Sequence, residues 1–363
     1  MKIFITYASV GSGHFKAAQA LYNYLKQKNS NLALRLVDAL DNSCFLFKSI
    51  YSSGYAFLVS YLPLVWALGF YITSIRLLRP IVKPIHFIIN WLNTKKFIKC
   101  LIQENPDFII STHFLPLEVI SCLKKTHRID SQLITLITDF GVHPFWLSDA
   151  TDIYIVASEF SKQQLILNGV RENKIKVLGI PTDPKFLVRP QRSILTKKFN
   201  LKQDKFTVLI VSGSFAISPI EKIVDLLYKD VQVLVVCAQN KRLFTRLKRK
   251  NYPHVLLFGF VDNIEELMAV SDVIITKPGG LTVSELLIME LVPIFIYPIP
   301  GQETLNAKVL ESEGVGLTLK NAEDIKGIVL DYKNNPEKLN KVKENIGRIK
   351  KPDTLSQIYN VVC

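Results

Sequence analysis

Acidic residues are the scarce class in this 363-residue chain, 31 against 45 lysines and arginines, which leaves a formal charge of +14. That imbalance implies attraction to a polyanion, whether nucleic acid, anionic lipid headgroups or a phosphorylated substrate, and alone does not choose among them. The five cysteines, Cys44, Cys100, Cys122, Cys237 and Cys363, are odd in number and scattered, without Cys-x-x-Cys or metal-ligand spacing. They read as reduced thiols of a cytosolic setting rather than as a disulfide framework, and no cluster of ligand residues suggests a cation site. No long apolar stretch with a small-residue cleavage site stands at the start, so the chain is expected to begin as a strand, inside the cell. A full dinucleotide fingerprint is missing too, because Lys16 stands where its last glycine would. What the chain does have is 48% hydrophobic residues. That content excludes disorder, and the length favours two domains.

Short β-branched runs alternate with helical patterns. Lys2–Ala8, a helix through Ala18, Leu21, Tyr22 and Leu25, and then Leu34–Val37 make a βαβ unit. Further strands are predicted at Phe108–Thr112, Leu133–Thr138, Ile153–Ala157 and Lys174–Leu178. A second series follows at Phe206–Val211, Val231–Val236, Val255–Phe258, Val273–Thr276 and Pro293–Tyr297. This predicts an α/β protein of two domains with parallel sheets facing across a cleft. Residues 1–180 form the first domain, 181–200 a linker holding Pro181, Pro184 and Pro190, and 201–340 the second domain. A helical tail, 341–363, is placed to pack back on the first domain. Ligands in such sheets bind beyond the carboxyl ends of the strands.

Residues 42–103 break the alternation. They contain no acid but hold Lys48, Arg76, Arg79, Lys83, Lys95, Lys96 and Lys99 among many aromatic residues, and no charge occurs from Ser49 to Ile75. Length alone permits a bilayer crossing. Ser52, Ser53, Gly54, Ser60, Pro63 and Gly69 interrupt the run, however, so helices lying on an anionic membrane surface are expected, the alternatives being a buried helical insertion or a true span. This stretch favours lipid over nucleic acid as the polyanion.

Three motifs carry chemistry. Gly11-Ser12-Gly13-His14 joins the first strand to its helix; the glycines allow a tight turn, and His14 can accept a proton near neutral pH. Thr138-Asp139-Phe140-Gly141-Val142-His143-Pro144, with Trp146 behind, follows another strand. Asp139 and His143 there suit orientation of an acceptor hydroxyl or support of His14, and equally suit a loop whose carboxylate binds its own backbone. In the third motif, Lys277, Pro278, Gly279, Gly280, Leu281 and Thr282 open a helix whose N–H groups and hydroxyl can meet phosphate oxygens, while Glu285 can accept from ribose hydroxyls. Gln302, Glu303 and Asn306 in the next post-strand turn offer the mixed donors and acceptors that a polyhydroxy sugar needs. Ser212, Gly213 and Ser214 form another phosphate-compatible turn, and Phe258-Gly259-Phe260-Val261 suits either a base or the core.

Together the Gly-x-Gly-His start, Thr-Asp-Phe with His-Pro and Trp, Gly179-Ile180-Pro181, Lys-Pro-Gly-Gly-Leu-Thr-x-x-Glu and Pro-Gly-Gln-Glu with Asn resemble the diacylglycerol glycosyltransferases of glycosyltransferase family 28. The resemblance runs from about Lys2 to about Gly316, and Ala238 departs from it by standing where close relatives are expected to carry glycine. It implies a GT-B fold, a UDP-hexose donor (UDP-glucose or UDP-galactose) on the second domain, and a diacylglycerol-like acceptor on the first. It further implies peripheral attachment at the cytoplasmic face and no requirement for metal or a tightly bound cofactor. Carried over by position, His14 is the base, with Asp139 as the other candidate. Gly279, Gly280, Leu281 and Thr282 face the diphosphate, Glu285 the ribose, Gln302, Glu303 and Asn306 the hexose, and the Val261 backbone the uracil. Gly11, Gly13, His143 and Trp146 lie on the acceptor side. The expected reaction is inverting hexosyl transfer to a lipid hydroxyl. Its rivals are transfer to another lipid such as a polyprenyl-linked intermediate, a UDP-sugar 2-epimerase, and a non-catalytic anionic-lipid binder.

Overall fold

The computed structural model describes residues 1–211 and 219–363. The chain divides into two compact units. The first comprises Met1–Asp183, Pro300–Leu305 and Lys351–Cys363, and the second Pro184–Ile299 and Asn306–Lys350.

In the first unit six strands form a wholly parallel sheet: β1 (Lys2–Tyr7), β2 (Ala33–Asp38), β3 (Phe108–Ser111), β4 (Gln132–Leu136), β5 (Ile153–Val156) and β6 (Ile175–Val177), in the order β2-β1-β3-β4-β5-β6. Successive strand residues alternate between two cores, as a period of two requires. Ile3, Ile5, Ile110 and Ile134 join Ala18, Leu21 and Leu25 of α1 (Gly13–Lys28) and Leu355, Ile358 and Val362 of the C-terminal helix. Phe4, Ile109 and Leu133 point to the opposite face and meet residues such as Phe97, Leu101, Leu115 and Val119. Both faces are therefore covered, which is why the strands read as continuous apolar runs.

The stretch that broke the sequence pattern is helical: α2 (Phe45–Tyr61), α3 (Pro63–Ser74), α4 (Arg79–Asn93) and α5 (Lys95–Glu104). Pro63 opens α3 at a position where its missing N–H costs nothing, and it separates α3 from α2, with a bend of 115° between the two axes. No single helix among the described residues is long and apolar enough to cross a membrane, although α2 and α3 pass that test as a bent pair. Among the described residues 26 large hydrophobic side chains are exposed, and 18 of them lie between Phe45 and Leu92. An ordinary buried insertion does not carry its apolar residues in this way. The basic residues divide as well. Lys48 pairs with Asp41, Arg79 donates to Asn168 (3.0 Å) and Lys83 to the Leu147 carbonyl (2.9 Å), whereas Arg76, Lys95, Lys96 and Lys99 are exposed.

The second unit repeats the layered plan with β7 (Thr207–Val211), β8 (Gln232–Val236), β9 (Val255–Phe258), β10 (Val273–Thr276), β11 (Val292–Ile296) and β12 (Leu317–Leu319), all parallel, in the order β12-β11-β10-β7-β8-β9. A helix at Arg192–Lys198 occupies the later part of the stretch read as a linker. Ala238, just past β8, has φ of 47°. The left-handed region costs a residue with a Cβ about 1–2 kcal/mol, while glycine adds about 0.5–1 kcal/mol of unfolded-state entropy, so relief of the strain wins. Ala238→Gly is expected to stabilise the fold by about 0.5–1 kcal/mol, read as a rise in the urea midpoint at constant slope; an unchanged or lower midpoint refutes the strain.

Candidate active site

Each sheet has one place where the strand order reverses, between β1 and β3 in the first and between β7 and β10 in the second, and the loops there open a crevice past the strand ends. In the first unit that place holds His14, following β1, and Thr112 and His113, following β3. Gly11, with φ of 71°, turns the chain out of the strand in a conformation that glycine adopts without a steric penalty. Asp38 supports the turn from beneath; it is buried and accepts the N–H groups of Ser9 (3.3 Å) and Leu40 (2.9 Å). Gly13 starts α1.

His14 Nδ1 lies 2.8 Å from the Thr112 carbonyl and 2.7 Å from Thr138 Oγ1. A carbonyl oxygen only accepts, so Nδ1 carries the proton and the neutral ring keeps its lone pair on Nε2, which has no hydrogen-bond partner among the described residues. Burial lowers the pKa of His14 below the ordinary imidazole value, while the charge of Asp139 and the Thr112 carbonyl oppose that shift. The ring is therefore a neutral proton acceptor at neutral pH.

Nε2 belongs to a ring that lines a cavity of about 620 Å3, walled by α2, α3 and α4, by the Asp139–Trp146 loop, and by Gln302. Of the chain's six histidines four line it, His14, His86, His113 and His143. Each has its Nδ1 committed. His113 Nδ1 accepts from Leu115 N–H (3.0 Å), and His143 Nδ1 from Phe145 N–H (3.3 Å). His86 Nδ1 donates to the Glu118 carboxylate (2.8 Å), to which Asn90 also donates (2.7 Å). Burial is the main cause that brings His143 down to about 4, so this ring is neutral and its Nε2–H faces Thr73 Oγ1 at 3.2 Å. Apart from these groups the wall is mainly apolar, with Tyr51, Tyr55, Trp66, Phe70, Phe114 and Phe145 on it.

The structure brings His14, Asp139, His143 and Trp146 together around one cavity, and with them Gln302, which the sequence reading assigned to the hexose of the donor. Gln302 enters with the Pro300–Leu305 segment. Its Nε2 donates to Tyr55 Oη (3.0 Å), and Trp66 Nε1 donates to the Pro300 carbonyl (3.1 Å). Between them Gly301 has φ of 97°, and a Cβ there would lie 2.6 Å from the Phe70 ring, so no other residue fits this approach. His113, His86 and Glu118 were missed in the sequence. Their signal was weak, since His113 stands one residue past a predicted strand and nothing in the text says that β3 lies beside β1.

In the second unit the helix Gly280–Ile288 begins after β10, with Gly279 as its cap and no side chain capping its first N–H groups. Thr282 and Glu285, three residues apart, share the less buried face of that helix, while Leu281, Val283 and Leu286 are buried. Lys277 is largely buried in the preceding turn. Asn306 is fully buried, and its Nδ2 donates to the Pro278 carbonyl (3.0 Å), which gives this amide a part in holding the turn. Val261 is half-buried on the loop past β9, beside the exposed Phe260. Ser212, Gly213 and Ser214 lie outside the described residues. Glu303 lies in the first turn of the helix Gln302–Ser312.

Residues 14–182 match the family model of monogalactosyldiacylglycerol (MGDG) synthase, and residues 207–358 match the glycosyltransferase family 28 C-terminal domain. The processive diacylglycerol beta-glucosyltransferase of Staphylococcus aureus (strain JH9) is 31% identical over 353 residues, covering 93% of this chain and 86% of the relative. Among solved structures, the S. aureus MnaA–UDP co-structure superposes with a TM-score of 0.66 at 10% identity, over 100% of this chain and 96% of that one. Anabaena HepE in complex with UDP-glucose gives 0.58 at 17% identity, over 100% and 99%. These two likenesses show the fold, an α/β architecture of the GT-B class with two Rossmann-like domains. Two matched domains in order and a relative aligned over 93% of the chain place it in its family: it belongs to the diacylglycerol glycosyltransferases of glycosyltransferase family 28.

Proposed function

We propose that this enzyme transfers a hexose from UDP-glucose or UDP-galactose to the free hydroxyl of a diacylglycerol, at an anionic membrane surface and with inversion at the anomeric carbon. The observation that carries the reading is a neutral imidazole, His14, whose unpartnered Nε2 belongs to an apolar, lipid-compatible cavity at the strand-order reversal. The acceptor hydroxyl gives its proton to Nε2 as its oxygen bonds to the anomeric carbon, and the bond to UDP breaks on the opposite face. No covalent sugar intermediate forms. The departing diphosphate takes its negative charge to the uncapped N–H groups at Gly279–Thr282, preorganised dipoles that supply positive potential without a cation. Glu285 accepts from the ribose, Gln302 and Glu303 serve the hexose, and the Val261 backbone serves the uracil. The UDP-glucose complex of the structural neighbour HepE supports a donor of this class. The exposed apolar face of residues 45–92 and the exposed Arg76, Lys95, Lys96 and Lys99 support peripheral attachment, with the cytoplasmic leaflet, rich in anionic lipid, as its side.

Purified enzyme with diacylglycerol vesicles, each UDP-hexose in turn and excess chelator should release UDP and form a hexosyl lipid of inverted configuration, read by mass spectrometry and NMR. Absence of product with both donors, in the presence or absence of divalent cation, rejects the activity. The base also predicts a pH profile. Its deprotonated form is the active one, so kcat/KM rises with pH through the His14 pKa, and its acid limb should lie below pH 6.5 because that pKa is lowered. Asp139→Asn removes a charge that favours the imidazolium, so the limb should move to still lower pH. A limb that stays put or rises counts against this pairing.

A further inference from the structure

We infer that His113 is a specificity-determining residue that donates a hydrogen bond from Nε2 to an ester carbonyl of the lipid acceptor, beside the hydroxyl facing His14. The inference rests on the acceptor reading above and names the chemical feature of the lipid that the site recognises.

His113 is only 2% exposed, yet its ring lines the cavity. It serves as the N-cap of α6 (Phe114–Lys125), with Nδ1 accepting the Leu115 N–H at 3.0 Å. That bond takes the ring's lone pair, so the neutral tautomer carries its proton on Nε2. Burial, with His14 and His86 nearby, holds the ring well below the ordinary imidazole range and keeps it neutral. Nε2–H is therefore an obligate donor, and it has no hydrogen-bond partner among the described residues. A ligand oxygen in this mainly apolar cavity that accepts from the ring makes a hydrogen bond shielded from bulk water.

The position of the ring defines that oxygen. The His113 and His14 ring centroids are 4.6 Å apart, edge to face, and Phe114 and Tyr51 flank His113 at 4.2 and 6.4 Å. His14 Nε2 is an acceptor and takes the hydroxyl; His113 Nε2–H is a donor and needs an oxygen that accepts. In a diacylglycerol the acceptor-only oxygens strong enough to serve are the ester carbonyls, a few bonds from the free hydroxyl. The two tautomers, fixed in opposite senses by Thr112 and Leu115, thus match the two kinds of oxygen in one glycerol ester.

The test pairs the whole enzyme and a His113→Asn variant with two acceptors in mixed micelles, a 1,2-diacylglycerol and a 1,2-dialkylglycerol of equal chain length that lacks carbonyls. Asparagine keeps a strong N-cap through its own oxygen but loses the Nε2–H. Wild-type kcat/KM should favour the ester about 10-fold, the size of one well-placed hydrogen bond in an apolar site. His113→Asn should lower the ester rate about 10-fold, leave the ether rate within about twofold, and bring the ratio near one. An unchanged ratio, or equal losses on both acceptors, overturns the inference. Wild-type enzyme that uses both lipids equally well overturns it without any variant. Wild-type enzyme that glycosylates neither lipid overturns the function itself.

Discussion

Replacing His14 with alanine is expected to lower kcat by about 10²–10⁴-fold, the usual contribution of a positioned general base, while UDP-sugar affinity measured by calorimetry stays within about twofold. The asymmetry follows from where the ring is anchored. Its Nδ1 is held by the Thr112 carbonyl and Thr138 Oγ1, so the side chain is spent on presenting Nε2, whereas Lys277–Glu285, the residues proposed to bind the donor, belong to the second unit. His14 is only partly buried, so truncation leaves the Thr112 carbonyl within reach of water and the fold should persist. His14→Gln serves as a control, because it preserves a side-chain amide near Thr112 but cannot act as a base near neutral pH. Turnover that survives in both variants removes His14 as the base and transfers the role to Asp139, which lines the same cavity.

How much of this was legible in the sequence depended on whether the signal was local. The β-branched runs at Lys2–Ala8, Phe108–Thr112 and Val273–Thr276 became strands because apolar side chains on both faces of a parallel sheet need burial, and that need is written residue by residue. β12, Leu317–Leu319, escaped because three residues after Gly316 carry too little periodicity. The glycine turns at Gly11 and Gly279 were likewise visible, since a strand-to-helix turn has a local signature. His113 and the His86–Glu118 pair were not, because their meaning lies in adjacency: β3 beside β1, and α4 against α6, with His86 stacked 4.6 Å from Phe145. Asn306 shows a structural role that was equally hidden. Its amide suggested a sugar ligand, but full burial and the bond to the Pro278 carbonyl give its Nδ2 a structural partner that no motif announces.

Leu64, Leu68 and Leu77 are 82%, 61% and 85% exposed, and changing all three to serine should lower partition onto anionic vesicles by at least about 10-fold. Full burial of one leucine stabilises by about 1.5–3 kcal/mol, so even a third of that for each of three side chains entering the acyl boundary gives about 1.5–3 kcal/mol, and the lost contacts of a serine that must be dehydrated add to it. Three such changes at exposed positions alter fold stability little, and none of the three lines the His14 cavity. Activity on vesicle-embedded diacylglycerol should fall in parallel with flotation, while activity on a short-chain diacylglycerol dissolved below its aggregation limit should hold within about twofold. Salt separates the two forces involved. On the proposed attachment Arg76, Lys95, Lys96 and Lys99 should each contribute about 1 kcal/mol at the surface, a share that fades as the Debye length shrinks, whereas the leucine share should persist. If the triple variant floats as well as the wild type at both low and high salt, the apolar face of α3 and the segment after it does not meet lipid, and the acceptor must reach the cavity by another side.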